Sequence, residues 1–277
     1  PATQVPTAPP IPTLKPGYSE PLTSFPSLDD LRTGYRSDLW YPTLLDVLKR
    51  RYSHGHYVVT KLNDSKTQAQ FWVGNQNDTF DHLLNAINLT VHEMNHQLDW
   101  QEGIMATRLQ SHAYVVRDDL TLLVPRTETY PRNEIVVYLT GPLSNQYRAV
   151  YLEGDSGKQG FQNLVDELNA YTQSLFVDYG LHDQFPPGQR RSSRDGLVTM
   201  MLYTQLYLRH GREHHPADYS ALQDKPEMRE AIRLLWARSL FILDVTEDIG
   251  ALAINAAPIE AEVRKPEMLA EIERFTR

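Results

Sequence analysis

The 277-residue sequence has no cysteine. That excludes disulfides, thiolate metal ligands and cysteine nucleophiles, and it leaves the compartment open. It also lacks any apolar run approaching the roughly 20 residues needed to cross a bilayer as a helix. Positive charge is scarce: 27 Lys and Arg stand against 35 Asp and Glu, for a formal charge of −8. Binding to a phosphate backbone needs clustered cations, so no nucleic-acid partner is expected. The one small basic cluster, Arg190, Arg191 and Arg194, follows a Pro-Gly turn and reads as a solvated loop. Aliphatic and aromatic content is ordinary, and the length suits one large domain or two lobes sharing a cleft.

Residues 1–26 are rich in Pro, Thr and Ser and poor in apolar residues, a composition that favours an extended, solvated tether. The expectation is an exported bacterial protein of the periplasm, cell envelope or extracellular space, with a possible membrane tether through a removed N-terminal leader. The sequence does not set an oligomeric state.

Beyond the tether the periodicity changes several times. Ser27-Leu28-Asp29-Asp30 opens a short capped helix, and a second helix runs from about Pro42 to Tyr52. The segments 56–60 and 70–73 read as strands, as do 113–116, 120–124 and 135–139, with Arg117-Asp118-Asp119 as a hairpin turn. From about Gly157 onward apolar residues recur at helical spacing, which predicts helices over 161–180, from Ser192 or Ser193 through Leu208, after Pro226, and over 266–275. The fold class is therefore α+β. An α+β lobe over 27–156 precedes a mostly helical lobe over 157–277, with a cleft between them.

Within the first lobe lies Leu89-Thr90-Val91-His92-Glu93-Met94-Asn95-His96-Gln97-Leu98. It belongs to a helix starting near Asp78 or Thr79, whose Phe80, Leu83, Leu84, Ile87, Val91 and Leu98 form a core face. Residues four apart sit one turn above each other, so His92 and His96 can offer two imidazole nitrogens to one metal ion. Glu93 stands beside the pair, placed to take a proton from a water molecule.

This decapeptide resembles the zinc-binding helix of the zincin metallopeptidases. The resemblance implies Zn2+ as cofactor, a zincin-like first lobe and a third protein ligand. Metzincin-like proteins have a Gly three residues and a ligand six residues past the second His, where this chain has Asp99 and Glu102. The fit is better to the gluzincin-like pattern, in which a Glu on a later helix is the ligand. Glu167, on the 161–180 helix and followed by Ala170, matches it and is the expected third ligand. Glu153, Asp178 and Glu102 are rivals. Where those families often place Asp four residues after that Glu, this chain has Tyr171.

The function implied is zinc-dependent hydrolysis of peptide or protein substrates, with Glu93 as general base. Tyr203 and His210 are the named catalytic candidates for stabilising the oxyanion, from a group that includes Tyr207, His214, His215 and Tyr219. The alternatives are a zinc amidase acting on cell-wall material and a catalytically inactive zincin-like scaffold.

Overall fold

The computed structural model describes residues 18–277; the first seventeen residues of the expected tether lie outside the described residues. The part that is described is docked on the body. The Glu20 carboxylate pairs with Arg238 at 3.0 Å, both side chains buried, and Phe25 packs edge-on against Tyr179. Glu20 supplies the counter-charge that the buried guanidinium needs, while Pro21, Leu22, Ser24 and Pro26 are exposed and without regular secondary structure.

Five helices open the chain: α1 (Asp29–Thr33), α2 (Trp40–Arg51), α3 (Ser53–Lys61), α4 (Ser65–Val73) and α5 (Phe80–Trp100). The Ser27 hydroxyl accepts from the Asp29 amide, as the sequence suggests for the start of α1. The expected strands at 56–60 and 70–73 are instead helical, within α3 and α4. Val58, Val59, Ala69 and Val73 are buried there against α5. Tertiary burial of one helical face overrides the strand preference of the β-branched and aromatic side chains.

A single antiparallel hairpin follows, β1 (Ser111–Arg117) and β2 (Leu120–Pro125), turning at Asp118-Asp119 as expected. The expected strand at 135–139 is absent; Arg132–Tyr138 forms 3-10 turns whose Ile135 is buried while Val137 is exposed. The remainder is helical: α6 (Tyr147–Tyr151), α7 (Gly154–Gly157), α8 (Phe161–Leu181), α9 (Ser193–His214), α10 (Pro216–Gln223), α11 (Pro226–Val245), α12 (Ala257–Val263) and α13 (Pro266–Thr276). Among the described residues the protein is thus mostly helical with one small two-stranded antiparallel sheet. No helix among the described residues is long and apolar enough to cross a membrane.

Two hydrophobic clusters make the core. The first gathers α2–α5 around Leu44, Val58, Leu83 and Ile87; the second gathers α8–α13 with the hairpin residues Tyr114, Val116 and Val124. The hairpin thus bridges the two clusters: Tyr114, Val116 and Val124 enter the second and Val115 the first. Helix α8 joins them. Leu164, Leu168 and Leu175 enter the second cluster, whereas Val177 and Leu181 enter the first. α8 packs between α5 and α9 and is buried on nearly every side.

Helix α5 is well specified locally. Thr79 has extended backbone and its hydroxyl accepts from the His82 amide at 3.2 Å, a cap contributing about 1 kcal/mol. Leu83, Ile87, Val91, Met94 and Leu98 are fully buried, each stabilising by roughly 1.5–3 kcal/mol. The helix ends in a π-turn over Gln101–Met105. Gly103 is required there, since a Cβ would lie 2.3 Å from the Ala113 amide nitrogen of β1.

Candidate metal centre

The buried stripe of α5 leaves His92, Glu93 and His96 along its border, turned toward α8. Asp166, Glu167, Tyr171 and Ser174 of α8 face them across the junction of the two cores. His92 Nε2 lies 3.2 Å from His96 Nε2, and Glu167 Oε2 lies 3.3 Å from His96 Nε2 and 3.8 Å from His92 Nε2. Four-coordinate sites with bonds near 2.0–2.1 Å have ligand-to-ligand edges of about 3.3–3.4 Å. The three atoms therefore form one face of such a polyhedron.

The Glu167 oxygen that points inward is buried with no hydrogen-bond partner among the described residues. Its polar neighbours are the two imidazole nitrogens at 3.3 and 3.8 Å, and a buried carboxylate oxygen without a well-formed hydrogen bond is costly. A cation shared with the two imidazoles would satisfy it, so these residues could hold a metal ion.

The far side of each histidine is also fixed. His92 Nδ1 is 3.0 Å from the Ser174 hydroxyl, and His96 Nδ1 is 2.8 Å from Asp166 Oδ2. Both contacts suit a protonated Nδ1 and leave Nε2 free as a ligand. Asp99, from the last turn of α5, lies behind Asp166 and lowers its carboxyl. Asp99 accepts from the Val115 amide at 2.6 Å, from Asn95 at 3.1 Å and from Asn169 at 3.1 Å. That network ties the hairpin, α5 and α8 together behind His96.

Electrostatics follow burial and neighbours. Burial, with the nearby His96 charge, holds the His92 imidazole well below its usual range. For His96, burial pulls downward but the Asp166 and Glu167 carboxylates outweigh it and keep the ring basic. Burial, reinforced by Asp166, pushes Asp99 well up against the lowering pull of its Val115 and Asn169 hydrogen bonds. Asp166 is only partly buried, and His96 and Asp99 hold it below the ordinary carboxylate value. Burial raises Glu93.

Beside His92 opens a cavity of about 450 Å³. His92 and Glu93 line it from α5, with Asn88 and Leu89; Tyr171, Ser174 and Asp178 line it from α8; Tyr147 and Tyr151 come from α6, and Arg190 to Ser193 from the loop entering α9. No cation pairs with Glu93 among the described residues. The Tyr171 ring lies edge-on to His92, with centroids 4.7 Å apart, and its hydroxyl is 2.7 Å from that of Tyr151. Gly196 of α9 makes room for Tyr171: a Cβ there would fall 2.1 Å from the tyrosine ring.

The structure thus brings His92, His96 and Glu167 together with Glu93 alongside. The rival Asp178 lines the same cavity but pairs with Arg191 at 3.3 Å, and Glu153 pairs with Arg148. Tyr203 and His210 are not at the cavity. Tyr203 is fully buried in the second core, while His210 bonds Tyr138 and Glu134 near the end of α9. Tyr147, Tyr151 and Tyr171 stand where a hydroxyl can reach the cavity. Their sequence signal is slight: Tyr147 and Tyr151 share i,i+4 spacing, and Tyr171 is one turn past Glu167. Compared with known proteins, the chain matches no family model, no curated protein and no solved structure.

Proposed function

We propose that this protein is a zinc-dependent hydrolase, a metallopeptidase that cleaves peptide bonds in peptide or protein substrates. One observation carries the reading: three donor atoms of His92, His96 and Glu167 meet at 3.2–3.8 Å, with an unpaired Glu93 on the adjoining cavity wall. Two imidazoles and a carboxylate are a donor set suited to zinc, with room for a fourth position. Zinc held by them supplies Lewis acidity, lowering the pKa of a water molecule toward neutrality and polarising a carbonyl.

The chain's own residues supply the rest. Glu93 accepts a proton at its carboxylate and returns it to the departing amine, the role of a general base and then acid. Asp166 and Ser174 hold the two imidazoles in the tautomer that presents Nε2. The Tyr151 and Tyr171 hydroxyls provide donors for the oxygen that gains charge, a role expected of Tyr203 or His210 from sequence. A scaffold that only binds has no use for an unpaired carboxylate beside a ligand pair, which favours an enzyme.

The test compares the zinc-loaded wild type with Glu93→Gln on a broad peptide library. The wild type should cleave. The variant should keep its zinc and lose turnover by about 10²–10⁴-fold. Equal cleavage by both would remove the assignment.

A further inference from the structure

A second group of metal-ligating side chains converges far along the chain from the first. Glu134 Oε2 lies 3.2 Å from His210 Nε2 and 2.8 Å from His215 Nε2. One ligand atom from each of the three lies within 4.8 Å of the others. Glu134 projects from the 3-10 turns of Arg132–Tyr138, His210 from the last turn and a half of α9, and His215 from the position just after it.

Neither imidazole is loose. His210 Nδ1 is 3.1 Å from the Tyr138 hydroxyl, which directs Nε2 at Glu134. The His215 ring stacks on Tyr130 with centroids 4.2 Å apart and planes 11° from parallel. Tyr130 is held in turn by its hydroxyl bond to the Tyr207 carbonyl and by stacking on the Tyr207 ring. Both nitrogens are thus aimed at one carboxylate oxygen before any ion arrives, and such orientation of ligating histidines through their other contacts is what strengthens metal sites.

We propose that Glu134, His210 and His215 form a second binding site, for a zinc-class divalent cation, that clips the 132–138 turns onto the end of α9. Two imidazoles with one carboxylate select zinc and its first-row neighbours over magnesium or calcium, which take oxygen ligands. Glu134 and His215 are each about one-third exposed, at 37% and 32%, so the ion exchanges with solvent more readily than one held at the buried first centre. The proposal does not depend on the first centre or on any hydrolytic activity.

Zinc bound per chain at a fixed free-zinc concentration, measured by equilibrium dialysis of the full chain and elemental analysis, tests it. Wild type should hold two equivalents. His96→Ala and His215→Ala should each hold one, and the pair combined should hold none. Glu134→Gln, a conservative change at a partly exposed position, should match His215→Ala, with far-UV circular dichroism showing an unchanged fold. If His215→Ala and Glu134→Gln bind as much zinc as the wild type, the second site does not exist. A single equivalent lost only in His96→Ala overturns this site and leaves the first. A single equivalent lost only in His215→Ala supports this site and removes the first.

Discussion

Asp166 Oδ2 lies 2.8 Å from His96 Nδ1, while the next residue, Glu167, brings its Oε2 to 3.3 Å from the opposite nitrogen of the same ring. Consecutive residues of α8 therefore grip one imidazole from both sides. Asp166→Asn keeps the shape but removes the charge that orients and strengthens the ligand. Zinc affinity should fall by about 10–100-fold, measured by competition with a coloured chelator. An unchanged affinity would mean that Asp166 has no part in the centre.

Tyr171 occupies the space that a side chain on Gly196 would need. Gly196→Ala should therefore destabilise the fold by about 1–3 kcal/mol in urea denaturation, as overpacking does, although alanine is the better helix former. Adding Tyr171→Ala should recover part of that loss. Additive effects in the double variant would deny the contact.

Arg238 is wholly buried and Glu20 is the carboxylate paired with it. Removing one partner of such a pair leaves an uncompensated charge, costing about 3–5 kcal/mol. Glu20→Ala should lower stability by that order, whereas Asp119→Ala, which breaks an exposed pair with Arg117, should change it by under about 1 kcal/mol. Similar effects from the two would show that residues 18–26 do not dock as described.

Acid should weaken the junction of α2 and α8. Asp183 accepts two hydrogen bonds from the buried Arg51 guanidinium, at 2.8 and 3.1 Å. Burial alone would raise this carboxyl, but the Arg51 bonds outweigh it and hold the group below its usual 3.8. A folded-state value below the unfolded one stabilises at pH above the unfolded value, and that contribution is lost as pH falls through the folded value. Asp183→Asn should accordingly cost stability at pH 7 and progressively less as pH falls below the ordinary carboxylate range, in denaturation curves taken from neutral to acid pH. A penalty independent of pH would contradict the charge-based account.

The motif helix was legible in the sequence because cap, apolar stripe and ligand spacing all agree over Thr79–Leu98. The hairpin was legible too, since 113–116 and 120–124 flank an Asp-Asp turn. Segments 56–60 and 70–73 misled because short runs containing Val, Tyr, Phe and Trp carry no length to separate strand from buried helix, and burial against α5 decides it. Glu167 could be singled out through the zincin resemblance and the edge of its helix face; its neighbour Asp166 could not, because nothing local shows which ring nitrogen a carboxylate will meet. Tyr151 and Tyr171 come together only through the packing of α6 on α8. Tyr203 and His210 lie on the right helix but point into the core and toward Glu134, a distinction that periodicity does not resolve.

The most direct measurement is anomalous diffraction from zinc-loaded crystals at energies on either side of the zinc absorption edge. A difference peak within about 2.0–2.2 Å of His92 Nε2, His96 Nε2 and a Glu167 carboxylate oxygen is the predicted result. Loaded crystals with no zinc peak at those three atoms, or with zinc only between Glu134, His210 and His215, would contradict the catalytic centre.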